Sequence, residues 1–335
     1  MVEFSRSVPT RKGPPVVALG GGHGLSVTLR ALRRITDDVT AVVGVADDGG
    51  SSGRLRDELG VVPPGDLRMA LAALCGDDAW GKTWSRVMQH RFGGDGEIAG
   101  HATGNILIAA LWEETGGVVE GLDWAAALLG AHGRVLPVST EPLEIVAEVR
   151  GAQESQPDVI SVVRGQVALE ETLGEVLALA VSPEDPPACP EAVEALVSAE
   201  AIVLGPGSWY TSVLPHLLVP GVRQAVRDSS ATRVLVLNLS AGKGDNHGFR
   251  SHDYLRVWND HFADVKLDFV LADDQHVDDL ERLDQYSKAM GATLVTSRLT
   301  ANRDISDDVA HSHDAQLLAG ALAELLGRGN ISVWQ

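Results

Sequence analysis

Val16-Val-Ala-Leu-Gly-Gly-Gly-His-Gly24, running directly into Leu25-Ser-Val-Thr-Leu-Arg-Ala-Leu32, is the stretch whose reading decides the fold. The apolar run reads as a buried parallel strand, and Leu25, Leu29 and Leu32 recur at helical spacing. Between them Gly20, Gly21, Gly22, His23 and Gly24 form the turn. Glycine is what a chain needs where the backbone takes positive φ or approaches a ligand closely. A strand–turn–helix of this kind gathers free main-chain N–H groups and the positive end of a helix dipole at one spot, which makes an anion site. A phosphate cradle is therefore one reading. A tight turn whose glycines serve packing alone is the other.

Working outward, Thr40–Ala46 reads as a second strand that ends in Asp47-Asp48-Gly-Gly-Ser51-Ser52-Gly-Arg54-Leu-Arg-Asp57. After the turn Val61–Asp66, a helix is expected over Leu67–Leu74 with Asp66 as its N-cap. Trp80–Phe92 has amphipathic helical spacing, His101-Ala-Thr-Gly-Asn105 opens another helix, and Leu122–Leu129 is a further one. From about 133 to 180 the texture changes. Arg134–Ser139, Leu143–Arg150, Gln166–Glu171 and Val176–Ala180 are short β-rich pieces broken by Pro and Gly, which predict a β-rich insertion. After a helix at Glu191–Ala199 the earlier rhythm resumes. Ala201–Leu204 leads into Gly205-Pro206-Gly207-Ser208-Trp-Tyr-Thr211-Ser212, Arg233–Leu239 into Ser240–Gly248, and Asp268–Leu271 into an Asp-Asp turn. Leu280–Met290 reads as a helix, Thr293–Ser297 as a last strand and Ala315–Leu326 as a closing helix. Strands alternating with helices predict an α/β fold, a Rossmann-like, doubly wound, mostly parallel sheet. A single domain is expected over 16–335, behind a disordered tail at 1–15.

The formal charge of −19 argues against a general nucleic-acid or anionic-membrane surface. Cys75 and Cys189 are the only cysteines and form no Cys-x-x-Cys, which fits reduced, packed thiols and a cytoplasmic location. Arg6, Arg11 and Lys12 precede no apolar stretch of signal-peptide length, and no run approaches the roughly 20 apolar residues of a membrane span.

In a doubly wound sheet, ligands lie beyond the carboxyl ends of the strands. Asp47 and Asp48 sit where such a fold places a carboxylate on a ribose. With Asp66 they also suit Mg²⁺ held through carboxylates and ligand phosphates. Turn chemistry, with Asp47 bonded to its own backbone, is the plain alternative. Ser51 and Ser52 add hydroxyls. Arg54 and Arg68 are suited to phosphate, or simply pair with the acids. Asn105 lies at a helix opening. Gly205–Ser212 reads as a second anion site with Ser208, Thr211 and Ser212 as extra donors, or as an N-cap series. His23, His101 and His247 lie in such loops, where a surface or packing role is commoner than catalysis. An NAD-dependent oxidoreductase finds little support, because the first loop lacks the spaced Gly-x-Gly-x-x-Gly.

Taken together, Gly-Gly-Gly-His-Gly-Leu-Ser, Val-Ala-Asp-Asp-Gly-Gly-Ser-Ser-Gly-Arg-Leu-Arg, Pro-Pro-Gly-Asp-Leu-Arg, Gly-His-Ala-Thr-Gly-Asn and Gly-Pro-Gly-Ser-Trp-Tyr-Thr-Ser-Val-Leu-Pro resemble the bacterial gluconeogenesis factors (YvcK type). That family is related to 2-phospho-L-lactate transferase, and the resemblance runs from about Val16 to the C-terminus. It implies a cytoplasmic protein that binds UDP-sugars, notably UDP-N-acetylglucosamine, and is needed for cell shape and wall synthesis on gluconeogenic carbon. Partners among cell-wall or regulatory proteins follow from the same likeness. The transferase relatives use Mg²⁺ and aspartates at positions that look like Asp48 and Asp66, the two candidates for catalysis and metal binding. Tyr286 looks like a family tyrosine set against the nucleotide-sugar. The chain departs from the family pattern at His23 (commonly Thr), across Ser240–Gly248, at Ser312 (often Arg) and at Ala315, where relatives carry a phosphoacceptor Thr. The apolar faces of Trp124–Leu129 and Leu317–Leu326 read as either core or a homo-oligomer interface.

Overall fold

The computed structural model describes residues 13–153, 155–239, 248–301 and 313–327. In chain order the elements are β1 (Val16–Gly20), α1 (Gly22–Leu32), β2 (Val39–Val43), α2 (Gly50–Leu59), α3 (Gly65–Leu74), α4 (Ala79–Gln89), α5 (Thr103–Thr115), α6 (Val118–Leu129) and β3 (Arg134–Pro137). Next come β4 (Glu144–Arg150), β5 (Ile160–Arg164), α7 (Gln166–Glu171), β6 (Glu175–Ser182), α8 (Pro190–Ser198) and β7 (Ala201–Leu204). A π-helical turn at Trp209–Val213 and a 3-10 turn at Leu214–Leu218 lead to α9 (Pro220–Asp228) and β8 (Thr232–Val236). The chain then passes through α10 (Ser251–Phe262), β9 (Phe269–Asp273), α11 (Leu280–Ala289), β10 (Thr293–Ser297) and α12 (Ala315–Leu325).

Seven strands form one sheet in the order β10-β9-β8-β7-β1-β2-β3, every neighbouring pair parallel. The central strands β1, β2 and β7 are buried at every position, as expected of strands covered by helices on both faces. That double burial explains why they read as continuous apolar runs rather than alternating ones. β1 lies between β2 and β7, with Leu19 in register with Val42 on one side and Leu204 on the other. The strand order reverses there, so the connections leaving β1 and β7 depart to opposite faces and open a crevice at their carboxyl ends.

A separate three-stranded antiparallel sheet, order β5-β4-β6, lies within 144–182. β4 alternates, with Ile145, Ala147 and Val149 buried and Glu148 and Arg150 exposed. The β-rich lobe therefore starts later than the sequence suggested, because Arg134–Pro137 joins the main sheet as β3, beside β2. Gln166–Glu171 is also not β-structure but the helix α7. Gly165 ends β5 with φ +90°, and the Gln166 amide bonds to Glu170 one turn on. A six-residue window carries too little periodicity to tell these alternatives apart.

Two helix starts also differ from expectation. α1 begins inside the glycine turn, at Gly22, and α3 begins at Gly65 with Pro64 in the capping position. Asp66 thus sits in the first turn of α3 rather than capping it. On α12, Leu318, Ala319, Ala321 and Leu322 are buried, so that face is core. On α6, Leu122, Ala125 and Leu129 are buried while Trp124 and Leu128 remain exposed. Most of the expected tail, together with Ser240–His247 and Ser312, lies outside the described residues. Among the described residues no helix is long and apolar enough to cross a membrane.

Candidate functional site

The turns after β1 and β7 press against each other. A Cβ at Gly24 would collide with the Pro206 carbonyl, so glycine here permits backbone-to-backbone approach. From the next turn of α1, the buried Thr28 hydroxyl donates to the Gly205 carbonyl at 2.9 Å. Gly205 itself has φ +72°, in the region that favours glycine. Asn238, just past β8, holds the far side of this second turn. Its side-chain oxygen accepts from the Gly207 N–H at 2.9 Å and its amide donates to the Gly207 carbonyl at 2.8 Å.

The N-terminus of α1 has no side-chain cap, and Ser208 makes no capping bond before the π turn. The N-cap series, the alternative to an anion site at Ser208–Ser212, is therefore not what closes that turn. At α1 an internal carboxyl group stands instead: Asp66 lies against Gly21, where a Cβ would strike it, and the Gly22 main chain favours its charged form. Burial, with the charges of Asp47 and Glu170 beside it, raises its pKa from 3.8 to about 7. The Gly22 bond and the Arg68 charge oppose the rise. Asp47 is raised as well, chiefly by burial, against its hydrogen bonds to the Gly49 N–H and Ser52. The turn chemistry allowed for Asp47 is thus present, in the form of the 2.9 Å bond from Gly49.

Asp48 points the other way, accepting the Val167 N–H of α7 at 3.0 Å. Glu170 of α7 accepts from the Thr211 hydroxyl at 3.0 Å, and burial raises its pKa too. The acids coupled to Asp66 are therefore Asp47 and Glu170 rather than Asp48. Sequence reading had no means of finding Glu170, which arrives from the lobe. Among the described residues no three His, Cys, Asp or Glu side chains converge as a metal cage. The carboxylates do offer the oxygen donors a hard cation takes, so Mg²⁺ would fit here only with a ligand's phosphates completing its shell.

Several polar residues expected at the ligand are bonded to one another beneath it. Arg68 is buried and donates to Asn105 at 2.8 Å and to Gln89. Burial lowers its pKa to about 10. Asn105 donates to the Ser51 hydroxyl at 3.0 Å, which also accepts the Ala102 N–H and meets His101 Nδ1. The Ser52 hydroxyl accepts the Gly65 N–H at 2.9 Å. This buried net ties α2, α3 and α5 together. Its serine belongs to Gly49-Gly-Ser51-Ser-Gly53, which has the spacing of a hydrolase nucleophile motif, but Ser51 is enclosed rather than presented at a strand end. Gly76–Thr83 has Walker A spacing, yet it lies between two helices and Asp78 caps α4 through the Gly81 N–H.

Arg54 reaches the carbonyls of Glu97 and Ala99. His23 is exposed. Tyr286 stacks on His252 at 5.5 Å and lines a surface groove on α11 with Arg282 and Gln285. A small cavity of about 10 Å³ lies between the two turns, lined by Gly21, Asp66, Thr211, Ser212 and His216 among others. His216 was not foreseen; it is fully buried with neither ring nitrogen in a well-formed hydrogen bond, and desolvation lowers its pKa to about 4.

The family model described as "2-phospho-L-lactate transferase CofD" matches residues 16–312. The chain belongs to the CofD family. Among the relatives of this CofD-family chain, a "Putative gluconeogenesis factor" of Mycobacterium leprae is 48% identical over 309 residues, covering 92% of this chain and 85% of its own length. The "Gluconeogenesis factor" of Bacillus subtilis is 32% identical over 326 residues, covering 93% and 98%. A crystal structure of a UPF0052-family protein from Bacillus halodurans superposes with a TM-score of 0.81 at 32% identity, covering 93% of this chain and 99% of that one. The gluconeogenesis factors are thus the CofD-family members it resembles over nearly its whole length.

Proposed function

We propose that this protein is a cytoplasmic regulator that binds a UDP-sugar, UDP-N-acetylglucosamine, in the crevice between β1 and β7, and acts as a gluconeogenesis factor in cell-shape and cell-wall control. The single observation that supports this best is the abutment of Gly20–Gly24 and Gly205–Ser208 at the reversal of strand order. Main-chain amides of both turns would take the diphosphate, with Thr211 and Ser212 adding hydroxyls. Asp47 or Asp48 would meet the ribose or base. The crevice would have to open to admit the ligand, since the cavity between the turns is far smaller than a nucleotide.

A second reading is a Mg²⁺-dependent transferase acting on a nucleotide diphosphate donor. The raised pKa of Asp66 favours it, because a carboxylate crowded by Asp47 and Glu170 at a phosphate cradle has charge to share with a cation. In that case Asp66, with Asp47 or Asp48, would hold the metal, which supplies charge neutralisation at the leaving phosphate. Calorimetry with UDP-N-acetylglucosamine, with and without Mg²⁺, separates the two. Metal-independent binding without turnover supports the regulator. Binding lost on chelation, or release of UMP or UDP, supports the transferase. No heat in either condition sinks both.

A further inference from the structure

We infer that α7 is a latch on the crevice: Glu170 and the start of α7 occupy the groups a nucleotide-sugar would use, and the ligand must displace them. This rests on the diphosphate reading above. Three contacts carry it. The Val167 N–H takes Asp48, the Glu170 carboxylate takes the Thr211 hydroxyl, and the Val167 side chain packs within 3.1 Å of where a Gly49 Cβ would stand. The latch thus bridges both halves of the crevice, from the turn after β2 to the turn after β7.

Space makes the same point. The cavity between the turns, about 10 Å³, has room for a single water molecule at most. Small-molecule sites commonly need several hundred Å³, roughly 300 or more. Something must move, and α7 is built to do so. It is six residues long, fewer than two turns, it is entered through Gly165 at φ +90° and it leaves through Thr172-Leu173-Gly174. Val167 and Leu173 are exposed, with Leu169 the buried residue of the helix. The charge on Glu170 sharpens the exclusion. A carboxylate on Thr211, close enough to raise the proton affinity of Asp66, repels any diphosphate that would take its place. Glu170 is accordingly a specificity element as well as an anchor, since only a ligand that recovers the Thr211 bond and offsets the charge opens the site.

The test is a crosslink. Gly49 has extended backbone (φ −93°, ψ 152°) that accepts a side chain, so Gly49→Cys with Val167→Cys places two thiols in reach, while Cys75 and Cys189 are buried. Oxidised, with the bond verified by mass spectrometry, the double variant should bind UDP-N-acetylglucosamine at least tenfold more weakly than the same protein after reduction. Equal affinity of the oxidised and reduced forms overturns the latch while leaving the ligand reading intact. Should the wild type fail to bind UDP-N-acetylglucosamine, the ligand reading fails, and hydrogen exchange without ligand decides the latch. Glu170→Ala, which removes the acceptor of the Thr211 hydroxyl, should then speed exchange across 166–171 about fivefold, the size of one hydrogen bond, with α5 unchanged. Unaltered exchange in α7 refutes it.

Discussion

Replacing Asp66 by Asn should stabilise the protein, and should do so more as the pH rises. In the folded state burial and the charges of Asp47 and Glu170 hold the carboxyl protonated to about 7, against 3.8 when unperturbed. Between those values the folded chain binds a proton that the unfolded chain has released, so this group's contribution to stability falls as pH rises through the window and is gone above it. At about 1.4 kcal/mol per pH interval, the rise corresponds to about 4 kcal/mol at pH 8. Coupling to Asp47 and Glu170 spreads the proton over the group, so roughly 1–3 kcal/mol is the expected gain. Asn cannot ionise, yet its carbonyl can still accept from Gly22. Urea unfolding followed by the fluorescence of the seven tryptophans measures the gap between variant and parent. That gap should widen by up to about 3 kcal/mol from pH 5 to pH 8. A constant gap, or a variant less stable than the parent at pH 8, would refute the assignment of a strained buried charge to this position.

Three further perturbations probe the crevice. Gly24→Ala drives a methyl group into the Pro206 carbonyl, so the two turns must separate; binding of UDP-N-acetylglucosamine should drop at least tenfold in calorimetry while the circular dichroism spectrum persists. Asn238→Ala removes both bonds to Gly207 and should lower stability by about 1–3 kcal/mol in urea unfolding, because a main-chain N–H and carbonyl lose their partner together. Arg68→Met strips Asn105 and Gln89 of a buried donor and Asp66 of a nearby cation; about 3–5 kcal/mol should be lost, and unfolding no more than 1 kcal/mol easier would show the net to be dispensable.

Elements whose own residues carry a strong local pattern were legible along the chain. Thr293–Ser297 is a strand at the boundaries its β-branched residues predict, and the buried face of α11 holds Leu283 and Ser287 one helical turn apart. The reverse holds where a residue's partner is remote. Arg68, Asn105 and Ser51 look like ligand groups when read as loop-flanking polar side chains, and the fold instead pairs them with one another under α2, α3 and α5. Glu170 looks like an ordinary acid of a short β-rich piece, and the lobe carries it to Thr211.

From the one-dimensional chain came the parallel α/β architecture and the two glycine turns, because strand burial, helix spacing and glycine's access to positive φ are properties of a few neighbouring residues. Which carboxylates share a proton, and which face of the crevice the lobe covers, were decided only in three dimensions. Desolvation and Coulomb coupling act through space, and their strength depends on distances that the chain acquires only when β1 and β7 come to lie side by side.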